Sequence, residues 1–250
     1  SDLGGIAFGA DPSIIYTGSD GTLTAWNTFF GTERSYFGTA QSRFRTSVTD
    51  RSGKYLVNLY DDKTLQVFNA ASFESAGNMV TFDLQPVTVA IDSQGRQIVA
   101  ADEGGTVHFI EAGSQAVLGS VKAHDASVDQ IEIADNLSIA VTADSSGKAV
   151  IWDMATHTQK AVIYHGSQDN GIAITGIAIS PSGSLVVLIG GGWASVYDAS
   201  GAAMPSLDVE NAFLYRVLFT PDGANFVYSA GKNIYVADTA SRNVWRTFSG

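Results

Sequence analysis

One pair of residues, an apolar or aromatic side chain followed by an acid or amide, recurs along this chain at a nearly constant interval. The pairs are Trp26-Asn27, Phe68-Asn69, Ile110-Glu111, Trp152-Asp153, Tyr197-Asp198 and Ala237-Asp238, and they are spaced by 42, 42, 42, 45 and 40 residues. A period of about 40–45 residues means one supersecondary unit copied in tandem, each copy burying its apolar surface against its neighbours. Any fold for these 250 residues must therefore be built from six similar units.

The units read as β-structure. In the fourth, VDQIEIA (Val128–Ala134) and LSIAVTA (Leu137–Ala143) flank an Asp135-Asn136 turn. DSSG (Asp144–Gly147) then leads into KAVIWD (Lys148–Asp153), and QKAVIYH (Gln159–His165) closes the unit. Short β-rich runs bounded by Gly, Asp, Asn and Ser are strand and turn signals. No window keeps the i, i+3, i+4, i+7 apolar stripe of a helix. Runs apolar on both faces, such as SLVVLI (Ser184–Ile189), suit strands sandwiched between two other sheets. The expected fold is all-β: a single six-bladed β-propeller over residues 1–250, with four antiparallel strands per blade. The blades fall at approximately 1–40, 41–84, 85–125, 126–170, 171–211 and 212–250. Leu3–Phe8 reads as an innermost strand and Asn243–Phe248 as an outermost one, so each blade is complete in sequence.

The repeat resembles the WD-repeat family over essentially the whole chain, unevenly. The fourth unit carries Ala123-His124 where the family has Gly-His, and Ile151-Trp152-Asp153 where it has Trp-Asp. The first has SDGTLTAWN (Ser19–Asn27), the fifth SPSG (Ser180–Gly183) and the sixth TPDG (Thr220–Gly223). The resemblance implies that His124, Thr142, Asp144 and Trp152 form a hydrogen-bonded set bracing one blade, and that the other blades, lacking the His, rely on apolar packing. It is the resemblance of a divergent member. Ring closure by a blade assembled from both chain ends, usual in that family, is not expected here. The ring closes without strand exchange, or flanking residues add structure.

Charge and composition narrow the function. The formal net charge is −11, which argues against nucleic acid or an anionic membrane as partner. Arg34, Arg43, Arg45 and Arg51 read as scattered solvated charge. No run of about 18 apolar residues is present. Without cysteine there is neither a disulfide framework nor a thiolate metal site, and the compartment stays open, the cytoplasm slightly favoured.

Enzymatic propellers place ligands around the central channel, where the innermost strands begin. Aligned across the six units, one position holds Gly5, Thr46, Thr88, Gln130, Gly176 and Arg216, and the position before it holds Gly4, Arg45, Val87, Asp129, Thr175 and Tyr215. One carboxylate and no histidine among these twelve is too little for a Ca²⁺ or Zn²⁺ site. His108, His124, His157 and His165 fall in different strands or turns, so no metal site or Ser-His-acid triad is expected. His124 is read as a brace and the other three as surface or edge residues. Asp61-Asp62, Asp102-Glu103, Asp144 and Asp222 read as turn residues, since Asp bonds nearby backbone N–H groups. Gly190-Gly191-Gly192 reads as a hairpin turn beside Trp193. No catalytic residue, metal or cofactor is expected.

The expected function is a non-enzymatic scaffold that presents loops to a protein or peptide. The candidate contacts are Arg43, Phe44, Arg45, Phe213, Tyr215 and Arg216, since Arg and Tyr are enriched at interface hot spots. An extended acidic peptide suits that set. The alternative is a ligand-sensing or regulatory propeller domain of a larger enzyme or structural assembly.

Overall fold

The computed structural model describes residues 3–8, 13–19, 22–37, 42–166, 171–206 and 213–250, and every regular element among them is a β-strand. They form six four-stranded sheets. The first contains β1 (Leu3–Phe8), β2 (Ile14–Ser19), β3 (Thr22–Asn27) and β4 (Thr32–Phe37). The second contains β5 (Phe44–Thr49), β6 (Tyr55–Tyr60), β7 (Thr64–Asn69) and β8 (Val80–Thr81). The third contains β9 (Pro86–Ile91), β10 (Gln97–Asp102), β11 (Thr106–Glu111) and β12 (Val117–Lys122). The fourth contains β13 (Val128–Ile133), β14 (Ile139–Asp144), β15 (Lys148–Asp153) and β16 (Thr158–Tyr164). The fifth contains β17 (Gly176–Ile179), β18 (Leu185–Gly190), β19 (Trp193–Asp198) and β20 (Ala203–Met204). The sixth contains β21 (Leu214–Phe219), β22 (Asn225–Ala230), β23 (Asn233–Asp238) and β24 (Val244–Ser249). Each sheet is an antiparallel meander of four consecutive strands.

The chain divides into two compact units of three sheets each, Ser1–Asp125 and Ala126–Gly250. The division falls at the expected boundary between the third and fourth repeats. Inside each unit the first strands of successive sheets lie side by side: β1 by β5, β5 by β9, β13 by β17, β17 by β21. The core fills the spaces between successive sheets. Tyr16 and Ala25 meet Leu56 and Tyr60, and Leu59 and Val67 meet Ile98 and Ile110. In the second unit Val141 and Ile151 meet Ile177 and Ile179, and Val187 and Val196 meet Phe226 and Tyr228. That geometry explains why β6, in the middle sheet of the first unit, is buried at all six positions and β18, in the middle sheet of the second, at five. A strand covered on both faces gains nothing from alternation.

The recurring pair has two jobs. Its first member enters the core: Trp152, Ile110 and Ala237 are fully buried. In five of the sheets its second member caps the turn into the fourth strand, while Glu111 of the third sheet accepts from the Ser114 hydroxyl instead. Asn27 Oδ1 accepts the N–H groups of Phe29 and Phe30, Asn69 Oδ1 those of Ala71 and Ser72, and Asp153 Oδ1 those of Ala155 and Thr156. Asp198 and Asp238 do the same for Ser200 and Ser241. These caps are Asx turns, which need a short side-chain oxygen at that position. The same accepting bonds hold the Asp198 and Asp238 carboxyls below the usual Asp pKa, Ser200 and Ser241 contributing most.

A second turn class recurs between first and second strands. Asp50 accepts the N–H of Tyr55 at 2.6 Å, Asp92 those of Arg96 and Gln97 at 2.6 Å, and hydroxyls of Ser180 and Thr220 accept those of Leu185 and Asn225 at 3.0 Å. The fourth sheet has Ala134 in that place and so lacks the capping oxygen, but its backbone makes the same turn, with Leu137 where the other sheets have Gly53, Gly95, Gly183 and Gly223. Leu137 takes φ +56°, its N–H bonding Ala134 O, so β14 starts at Ile139, two residues later than the expected Leu137. Asp102, Asp144 and Asp222 cap their own turns, as their residue type suggested. Gly191 and Gly192, at φ +54° and +84°, make the two-residue turn between Gly190 and Trp193. At Gly147 a Cβ would sit 2.7 Å from the Ile172 carbonyl oxygen, so only glycine fits. The Asp20-Gly21 turn of the first repeat lies outside the described residues.

Candidate functional site

The first strands carry the feature that shapes the candidate surface. A β-bulge interrupts the pairing between Leu3 and Gly5, between Phe44 and Thr46, between Val128 and Gln130 and between Leu214 and Arg216. In the third sheet the same irregularity falls opposite Ala101-Asp102, between Pro86 and Thr88. The bulged residues are Gly4, Arg45, Val87, Asp129 and Tyr215, the positions that the repeat alignment places on one level. A bulge puts two residues opposite one and re-aims the extra side chain. Phe44, Pro86, Val128 and Leu214, just before the bulge, are buried, whereas Arg45, Asp129 and Tyr215 are exposed.

In the first unit, Phe44 is buried with its ring 4.9 Å from that of Tyr60. Its face is spent on the core and is not offered to a partner. Arg43 and Arg45 are exposed on either side of it. Arg45 Nη1 lies 3.8 Å from Asp61 Oδ1, and the Asp61 N–H bonds the Arg43 carbonyl, so the strand end and the β6–β7 turn are tied together. In the second unit, Phe213, Tyr215 and Arg216 are all exposed, Phe213 at 71%.

Of the expected brace, Trp152 Nε1–H donates to Thr142 Oγ1 at 2.9 Å, both fully buried. Asp144 is buried and accepts the Ser146 and Lys148 N–H groups. His124 is fully buried at the end of the first unit, its N–H bonding Gly105 O at 3.1 Å. The Trp–Thr bond is repeated in the first sheet, Trp26 Nε1–H to Thr17 Oγ1 at 2.7 Å.

Two histidines depart from the expectation of surface or edge residues. His165 is fully buried at the exit of the fourth sheet. Its Nε2 faces the Gly190 carbonyl oxygen at 3.0 Å and its Nδ1 the Ser195 hydroxyl at 3.1 Å, both in the fifth sheet. It ties the fourth sheet to the fifth, and its backbone N–H bonds Gly147 O as that of His124 bonds Gly105 O. Burial pushes its pKa below the usual histidine value, opposed by the Gly190 carbonyl. His108, on β11, has Nδ1 2.8 Å from Ser120 Oγ on β12 and Nε2 3.4 Å from Asp102 Oδ2 at the end of β10. Burial lowers its pKa too, against the opposing pull of Asp102 and Asp83. The residues missed from sequence are thus Asp102, His108 and Ser120. Their signal was pairing register alone, since His108 stands directly opposite Ser120.

Among the described residues no three His, Asp or Glu side chains group as a metal site. No protein-family model matches the chain, and no curated protein matches it.

Proposed function

We propose that the six sheets are the blades of a propeller of the WD-repeat kind, and that the protein is a platform for a protein or peptide partner. The carrying observation is the bulge repeated in five first strands, which holds a constant backbone while displaying a side chain that differs from sheet to sheet. Constant backbone with variable display is what a recognition surface needs. The sheets are consecutive meanders with neighbouring first strands, as blades are.

The ligand that fits best is an extended peptide carrying spaced carboxylates. In the second unit Arg216 supplies a forked donor for a carboxylate beside the rigid apolar area of Tyr215 and Phe213, and in the first unit Arg45 supplies such a donor on that unit's own surface. The net charge of −11 opposes most acidic ligands at long range, which favours selectivity over strength. An array of extended acidic peptides probed with the 250-residue chain tests this. Peptides with spaced Asp or Glu bind, salt weakens the binding, and Arg216→Ala lowers affinity at least about tenfold with the melting temperature unchanged. Arg45→Ala gives a smaller loss, because that side chain already leans on Asp61. An array on which the wild type and both variants behave alike rejects the acidic-peptide reading.

A further inference from the structure

The third sheet carries an acid, an imidazole and a hydroxyl in line. Asp102 ends β10, His108 sits on the neighbouring strand β11, and Ser120 lies opposite His108 on the edge strand β12. Asp102 is 3% exposed, and its Oδ1 is held by the Thr106 N–H at 2.9 Å. Its Oδ2 faces His108 Nε2 at 3.4 Å. A carboxylate only accepts, so Nε2 carries the proton and Nδ1 presents its lone pair. That lone pair meets the Ser120 hydroxyl at 2.8 Å. The Phe82 ring stands edge-on to the imidazole, centroids 4.9 Å apart, and fixes its plane. Ser120 itself is exposed.

We propose that Ser120 is a nucleophilic serine, activated by His108 and positioned through Asp102, that accepts an acyl group from a neutral activated carboxylic ester. This goes beyond the platform reading and does not rest on it. A hydroxyl bonded to a general base whose other nitrogen is oriented by a third group is the arrangement nucleophilic serines require. Here Nδ1 serves the serine and Nε2 the acid. In the step, Ser120 Oγ attacks the ester carbonyl carbon as its proton passes to His108 Nδ1. The carbonyl re-forms, the bond to the leaving oxygen breaks, and the Nδ1 proton goes to that oxygen. The products are acyl-Ser120 and an alcohol or phenol, with His108 neutral again. Asp102 and Asp83 both act electrostatically on the imidazole, so an anionic acyl group is repelled and a neutral one is preferred. Burial holds His108 neutral to lower pH than an ordinary histidine, which keeps the base competent near neutrality.

The test uses the intact chain with p-nitrophenyl acetate, read by phenolate release, intact mass and peptide mapping. The expected result is one acetyl group per chain, mapped to Ser120. Ser120→Ala, a change at an exposed edge position, removes that label, and His108→Gln slows it at least about tenfold. The labelling rate rises with pH through a midpoint below about 6.5, the ordinary histidine value. p-Nitrophenyl succinate, which is anionic, labels more slowly. A hydrogen-bond ladder of purely structural role would show none of this. Absence of an adduct on wild type, an adduct mapped to another residue, or equal labelling in Ser120→Ala overturns the proposal. The mapping on wild type decides the matter even where a variant fails to fold.

Discussion

Trp152 shows what one residue carries in this fold. The ring is fully buried, and its N–H is satisfied by Thr142. Trp152→Ala removes the largest side chain in that layer together with its hydrogen bond to Thr142. The expected cost is about 3–5 kcal/mol, read as a fall in the denaturation midpoint. Thr142→Val should cost less, about 1–2 kcal/mol, because it keeps the shape and gives up hydrogen bonding alone. A Trp152→Ala protein that unfolds at the wild-type midpoint would place this tryptophan outside the core.

His165 makes stability depend on pH. Its folded pKa lies below the unfolded one, so the unfolded chain binds more protons at mildly acidic pH. The stability it contributes is complete above about pH 6.5 and is lost as pH falls toward the folded pKa. His108 acts with the same sign. Melting temperatures taken from about pH 7.5 to about pH 5 should fall, and His165→Gln should flatten part of that fall. An unchanged slope in the variant would mean that His165 does not titrate across that range.

At the scale of elements, the six sheets are not equivalent in their surroundings. In the fourth and fifth sheets both faces of the second strand are buried. In the sixth, β22 alternates: Phe226, Tyr228 and Ala230 are buried against the fifth sheet, and the residues between them are half-buried. On that other face Leu218 is 53% exposed and Ile234 47%. The row of Ile234 is apolar in every sheet, and that of Leu218 in every sheet but the fourth, which has Glu132. The propeller reading therefore requires a blade to cover this face. On that reading Leu218→Asp places a charge in a sheet-to-sheet interface and costs at least about 2 kcal/mol. A melting temperature that does not move would mean that water covers the face in solution, which counts against a closed propeller.

Elements were legible where local chemistry decides them. The 42-residue spacing located the third strands, because an apolar residue followed by a turn-capping acid or amide is a local requirement of each hairpin. The bulged positions were aligned correctly for the same reason, although nothing local announced the bulge. The start of β14 was missed by two residues because Leu137 adopts a left-handed turn conformation, which the side chain does not signal.

For the molecule as a whole, the sequence by itself determined the class of structure, the number of repeats and the four-strand content of each, since hydrophobic pattern and turn residues act within about 40 residues of chain. It also determined the charge that argues against polyanionic partners. Tertiary structure decided which side chains remain available. It buried Phe44 against Tyr60 and left Phe213 and Tyr215 exposed, though all three are aromatics near first strands. It drew His165 into the fifth sheet and set Asp102, His108 and Ser120 in line across three strands. Burial and cross-strand register depend on which strands become neighbours, and that is settled only when sheets pack against one another.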